Sequence, residues 1–194
     1  MAAYITTTEL KAQLTSQTMG AGDDALLLEI CSRATRWFES ETGRVFDASS
    51  NTSRSLDAIQ DVDGPRLKLP WDLCSINSIT NGDGVAVTSS QYATEPRYGT
   101  PYHEIVLLPS SSIVWSYLTN PQNAITISGK WGYSETVPAD VKGAVLVLGA
   151  AMYKARDVLV GVSSPVVTAE GSVIMPSTIP EITNDVACKY RRWS

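Results

Sequence analysis

The chain has 194 residues, 43% of them hydrophobic, with 15 basic and 20 acidic side chains and a net charge of -5. That supports one sizeable core with room for an insertion, and it argues against a protein whose main task is to grip nucleic-acid phosphates, which needs a basic face. Cys31, Cys74 and Cys188 are odd in number, far apart and without a C-x-x-C pair, so neither a disulfide framework nor a zinc site is expected, and a reducing cytoplasm fits.

The opening residues lack the basic start and apolar run of a signal peptide, and no stretch is long enough to span a bilayer, so a soluble, unexported chain is expected. Ile5-Thr6-Thr7-Thr8-Glu9-Leu10 reads as a helix start, with Thr6 as N-cap, Glu9 closing a capping box and Ile5 stapled against Leu10. Gly20-Ala21-Gly22 interrupts, and Asp23 or Asp24 then caps a longer helix. Its apolar positions Leu27, Ile30, Cys31, Ala34, Trp37 and Phe38 recur at three- and four-residue steps, and Gly43 stops it.

From Arg44 to about Val137 the texture becomes short β-prone runs between turn residues: Ser53 to Ile59, Arg66 to Leu69, Ser75 to Ile79, Glu104 to Leu108 and Ala124 to Ser128. Asn81-Gly82-Asp83-Gly84 is a strong turn signal, and Leu67-Lys68-Leu69 and Ile125-Thr126-Ile127 alternate as half-buried strands do.

Pro138, at a first helical position with Asp140 in the first turn, opens the most apolar element. Between Lys142 and Lys154 no charge interrupts it, so this helix is apolar all round and must be surrounded. At roughly 16 Å it is too short to cross a membrane, so protein surrounds it, from this chain or from a second subunit. Gly143, Ala144, Gly149, Ala150 and Ala151 permit a close helix approach, and the two interior glycines cost about 1 kcal/mol each, which tight packing must offset.

Val158 to Thr178 mixes Gly, Ser and Pro with β-branched residues. So long a connection points to a functional segment or one ordered by a partner. Val166-Val167-Thr168 and Val173-Ile174-Met175 are expected to form a protruding hairpin that a neighbouring chain stabilises. Pro180 opens a last helix, with Ile182, Val186 and Tyr190 at four-residue spacing and Lys189, Arg191 and Arg192 at its end.

Read in order, this succession resembles the head-to-tail connector (adaptor, neck or head completion) proteins of tailed bacteriophages. The particular residues are Thr42-Gly43-Arg44-Val45-Phe46 at the end of the second helix and the Gly-Tyr-x-x-x-x-Pro-x-Asp-x-Lys spacing from Gly132 to Lys142. The resemblance implies an α+β fold: a helical connector core of about four helices from residues 1–46 and 137–194, a β-rich antiparallel insertion over 47–136, and a protruding arm over 158–178.

It further implies a structural virion protein with no chemistry or cofactor of its own. Such proteins form a ring, commonly of twelve subunits, under the portal protein and carry the tail or a stopper protein. DNA passes through the lumen without specific binding and no membrane is involved. The place is the virion neck, assembled in the host bacterial cytoplasm. On this reading Val166, Val167, Val173, Ile174 and Met175 of the arm meet the neighbouring subunit. The last helix docks on the portal through Ile182, Val186, Tyr190, Arg191, Arg192 and Trp193. The long β insertion departs from the smallest members.

Other residues are weighed against plainer roles. His103 is the sole imidazole, but no nucleophile-elbow spacing accompanies it, so a turn histidine is favoured over catalysis. Asp57, Asp61 and Asp63 lack the EF-hand spacing and closing Glu, which favours a polar turn over a calcium or other metal site. No phosphate-cradling glycine motif is present. Trp71, Tyr92, Tyr98, Tyr102, Trp115, Tyr117, Trp131 and Tyr133 read as β-domain packing. The alternative is a soluble β-rich module that binds carbohydrate or another ligand on a helical scaffold.

Overall fold

The computed structural model describes residues 3–14, 23–159, 166–167, 173–174 and 179–192. The fold is α+β, and the chain divides into two compact units: residues 1–43 with 137–194, and residues 44–136.

The first unit holds the helices α1 (Thr7–Gln13), α2 (Asp23–Thr42), α3 (Ala139–Leu159) and α4 (Glu181–Tyr190). The capping box of α1 forms as its residues dictate: Glu9 N–H donates to Thr6 Oγ1 and Thr6 N–H to Glu9 Oε2. Ile5 and Leu10 are both buried. On α2, Leu27, Ile30, Cys31, Ala34 and Phe38 face inward together with Thr35, while Trp37 is half-buried. Gly43, at φ +65°, ends the helix in the left-handed conformation that favours glycine.

Helix α3 is the axis of this unit. Val141, Ala144, Val145, Leu148, Ala150 and Tyr153 are buried, and α1, α2 and α4 all pack on it. Pro138 stands one position before the helix rather than at its first turn: its carbonyl accepts the N–H of Lys142, the first helical hydrogen bond. Pro180 holds the same place before α4, in extended backbone. The inward residues of α4 are Thr183 and Ala187, with Thr183 Oγ1 donating to the Ala144 carbonyl at 3.2 Å. The 182/186/190 row therefore lies to one side: Ile182 is exposed, and Val186 and Tyr190 are half-buried.

The second unit is a seven-stranded antiparallel sheet, built from β1 (Asn51–Leu56), β2 (Val62–Asp63), β3 (Arg66–Thr80), β4 (Ala86–Val87), β5 (Tyr92–Glu95), β6 (Tyr102–Leu107) and β7 (Ile125–Trp131). The main order is β1-β7-β3-β6-β5, with β2 and β4 also on β3. Strand β3 unites two runs that the sequence separates at Pro70-Trp71-Asp72. It passes through Pro70 because its register against β6 shifts between Lys68 and Leu73, where no ladder hydrogen bond is required of the proline. On β7 burial alternates strictly, Ile125, Ile127, Gly129 and Trp131 inward. Leu56, Leu67, Leu69, Leu73, Ile79, Ile105 and Leu107 complete that core with Trp115 from the loop after β6. Two further strands, β8 (Val166–Val167) and β9 (Val173–Ile174), pair antiparallel as a separate two-stranded sheet.

Candidate functional site

The motif residues that carry the resemblance are structural. In the β unit, Arg44 reaches Asp72 with both carboxylate oxygens at 3.0 and 2.9 Å, and Asp72 is buried. Phe46 is fully buried with its ring 5.4 Å from that of Tyr133, which the Arg44 guanidinium also overlies at 5.4 Å. Backbone hydrogen bonds tie the two segments together: Tyr133 N–H to Val45 O, Ala48 N–H to Ser134 O, and Gly132 N–H to Asp72 O. Gly132 has φ +153°, and a Cβ there would lie 3.0 Å from that of Ala48. These residues, the parts of both motifs that lie within 44–136, knit together the first and last segments of the β unit.

His103 lies on β6 rather than in a turn, with Nδ1 3.7 Å from Asp72 Oδ1. That is beyond hydrogen-bonding length, and both carboxylate oxygens of Asp72 already accept from Arg44 Nη1. The pair lacks the base–orienter hydrogen bond of a catalytic triad. Asp57 and Asp61 spend their carboxylates on backbone N–H groups of Ile59, Gln60 and Asp57, the pattern of a polar turn. Among the described residues, no group of three or more His, Cys, Asp or Glu converges as a metal site.

The aromatic set splits in two. Trp115 and Trp131 are buried; their indole N–H groups donate to Pro65 O and Thr52 O. Trp71 stands edge-on to Trp131 at 6.1 Å, with Arg54 stacked on both rings at 4.6 and 5.1 Å. Tyr98 and Tyr117 are exposed. Open clefts on this unit include two lined by described residues. One, of about 350 Å³, is lined by Tyr92, Ala93, Thr94, Arg97, Tyr98 and Leu108; the other, of about 390 Å³, by residues that include Pro65, Leu107, Pro109, Ile113 and Val114. Neither lining contains a carboxylate or imidazole placed to move a proton.

A feature the sequence does not announce is the polar hub under the loops that follow β3 and β6. Asn81 is 1% exposed. Its amide donates to Val114 O and Ser116 Oγ, and its Oδ1 accepts from Ser116 N–H. Ser116 Oγ in turn donates to Asp83, whose carboxyl is held below the usual range by the Val85 N–H and then by Ser116. Gly82 bridges to Tyr117, and a Cβ on it would fall 2.4 Å from the Ser116 carbonyl. The two loops thus display Val85, Val114, Tyr117 and Leu118 to solvent on a fixed frame. The turn signal at Asn81-Gly82-Asp83-Gly84 locates this bend, but nothing local marks Asn81 as buried.

In the helical unit, polar clamps hold α4. Asp140 accepts from Lys189 Nζ at 2.8 Å and from Tyr190 OH at 2.9 Å, and its carboxyl is lowered chiefly by Lys189. Arg191 pairs with Glu41, and Arg192 N–H donates to Thr42 O. Of the residues expected to dock on a portal, Ile182 is therefore the most open, Tyr190 and Arg191 are engaged within the unit, and Trp193 lies outside the described residues. Among the arm residues, Val166, Val167, Val173 and Ile174 are placed by backbone pairing, and Met175 lies outside the described residues with most of 158–178.

No family model matches the chain, and no curated protein matches it by sequence. Solved structures do. A chain in the neck of an empty gene transfer agent particle, computed with C6 symmetry, shares the fold with TM-score 0.58 at 16% identity, over 100% of this chain and 94% of that one. A chain in the neck of the native particle, computed with C12 symmetry, gives TM-score 0.56 at 18% identity, over 100% and 93%. A third, in the virion of the native particle, gives 0.58 at 18%, over 98% and 91%. End to end, then, the chain has the fold of chains from the neck and virion of a gene transfer agent.

Proposed function

We propose that this chain is a structural virion protein: a ring-forming neck subunit that joins a DNA-filled head to its tail. One observation carries the reading. The fold likeness to neck chains runs the full length of both partners, so the β unit belongs to the shared architecture. Symmetries of six and twelve in those necks favour a ring of twelve copies here.

In this reading the arm over 158–178 meets the neighbouring subunit, and α4 faces the portal protein. Ile182 is the exposed apolar anchor there, with Val186, Tyr190, Arg191, Arg192 and Trp193 around it. The acidic chain leaves DNA passing the lumen unbound. The loops braced by the Asn81 hub face a tail or stopper protein. The role is one of assembly, without a catalytic step or a cofactor, carried out in the host cytoplasm and completed in the virion neck.

The test is native mass spectrometry of the purified chain at rising concentration, with and without portal protein. Rings, alone or on the portal, are the expected result; a monomer under every condition overturns the reading and favours a ligand-binding module. For the docking face, Ile182→Glu is cleaner than truncation, because Thr183 and Ala187 beside it are core. It is expected to leave the fold intact and abolish capture by the portal. Unchanged capture removes α4 from that role.

A further inference from the structure

We infer that the outer edge of β1 is the seat of the β8–β9 hairpin donated by a second copy, which extends the seven-stranded sheet across the subunit boundary. The inference rests on the ring reading and deepens it. Strand β1 ends the sheet: Asn51 to Leu56 pair with Lys130 to Ile125 on one side. On the other side, among the described residues, their backbone makes no hydrogen bond to another main chain; the Thr52 carbonyl alone is used, by the Trp131 indole N–H. An edge strand points every second N–H and C=O outward, an open template for pairing.

The two ends of the main strand order are not alike. At the far end β5 is only four residues long, is followed directly by Pro96, and carries the Glu95–Arg97 ion pair. Proline and charge are the ordinary guards of an edge. Strand β1 is six residues, Asn-Thr-Ser-Arg-Ser-Leu, with no proline. Its one charge, Arg54, is drawn onto the Trp71 and Trp131 rings and guards nothing.

The complementary defect is in the same chain. Strands β8 and β9 have two residues each and pair only with one another among the described residues. All four residues are β-branched and suit strand geometry, yet a two-stranded hairpin by itself is at best marginally stable in water. A hairpin that pairs with no other strand among the described residues and a sheet with an unguarded edge satisfy each other by strand addition. Between copies the contact is heterologous, each subunit giving one hairpin and receiving one, and a closed ring leaves no edge open.

Disulfide trapping tests this. In a Cys188→Ser background, which removes the one exposed native thiol, Ser53→Cys and Ser55→Cys chains are mixed pairwise with Val166→Cys and Val173→Cys chains, then oxidised. Neighbouring antiparallel strands hold Cα atoms about 4.5–5.5 Å apart, within disulfide reach. Expected is a linked dimer in at least one mixture and in none of the single variants. Rings seen by native mass spectrometry with no linked dimer in any mixture overturn the inference and spare the ring. An intrachain disulfide alone, in a chain carrying both substitutions, also overturns it by showing that each edge takes its own hairpin. Monomers throughout, unlinked, overturn both.

Discussion

The helical unit packs three of its own helices on its most apolar element yet leaves Leu146, Val147, Ala151 and Met152 half-buried instead of surrounding it, whereas the β unit carries most of the large apolar side chains exposed among the described residues. Around α3, the residues Ile5, Leu10, Leu27, Ile30 and Ala187 are all buried, and Leu28 and Ile182 are the large apolar residues this unit exposes among those described. The β unit has a well-filled core and still exposes Ile59, Trp71, Val85, Tyr98, Val114, Tyr117 and Leu118. An uncharged helix says that it is covered but not by whom. Exposed apolar residues on loops braced from below are the stronger sign of a surface kept for a partner, because the frame is ordered before binding and little entropy is lost on contact.

The largest effect should come from the brace itself. Asn81→Ala leaves the Val114 carbonyl and the Ser116 N–H without their partner in a partly buried site, and an unmet buried polar group costs about 1–3 kcal/mol. Thermal unfolding should show a loss of about 2 kcal/mol, and hydrogen exchange should speed up over residues 113–118 while α2 and α3 keep their protection. A variant as stable and as protected as the parent would mean that the loops hold themselves, and the contrast between the units would lose its basis.

What could be read in advance follows physical range. The α1 capping box, the helix stop at Gly43 and the alternation on β7 are written in residues a few positions apart, and each formed as spelled; the α2 stripe formed too, except that Thr35 is buried and Trp37 only half so. Strand β3 was legible only as two runs, because its passage through Pro70 depends on a register shift against β6, more than thirty residues downstream. The inward face of α4 was hidden for a similar reason. Thr183 is a polar residue at a core position because the Ala144 carbonyl, thirty-nine residues away, accepts its hydroxyl. Arg44 with Asp72 and Asn81 with Val114 belong to the same class: pairs chosen by the folded sheet, invisible to periodicity. The docking and arm residues follow from resemblance and position, and their test lies in assembly.

The two glycines of α3 sharpen the contrast next. Both were expected to admit a neighbouring helix, but their surroundings differ. A Cβ on Gly149 would lie 3.3 Å from Ile5 Cδ1 and 3.4 Å from Leu10 Cδ1, so that glycine is used inside the unit; a Cβ on Gly143 would meet nothing within 4 Å. Gly143→Ala should therefore stabilise the isolated chain by up to about 1 kcal/mol through helix propensity, while Gly149→Ala should gain less or lose. Calorimetry on both variants decides it. If Gly143 also faces a neighbour in the ring, Gly143→Leu will fold as a monomer and fail to form rings in native mass spectrometry; rings formed normally would leave Gly149 as the only glycine of α3 with a packing role.

The smallest effect is electrostatic and belongs to the helical unit. Lys142 on α3 pairs with Glu9, and this contact, helped by the Thr6 N–H, holds the Glu9 carboxyl down at about 2 against an ordinary 4.5. A carboxyl depressed in the folded state binds its proton less readily there than in the unfolded chain, so the pair contributes its full stability above pH 4.5 and loses it as the pH falls towards 2. Both side chains are more than a third exposed, so solvent screening keeps the contribution below about 1 kcal/mol. Glu9→Gln should accordingly cost little at pH 7 and flatten the acid limb of the stability curve between pH 4.5 and 2. Lys142→Met should flatten the same limb, because it removes the charge that holds Glu9 down. Asp140 on α3, lowered chiefly by Lys189 on α4, will leave some slope in either variant. If the acid limb of Glu9→Gln overlays that of the parent, the α1–α3 ion pair contributes nothing in solution, and apolar packing alone joins those helices.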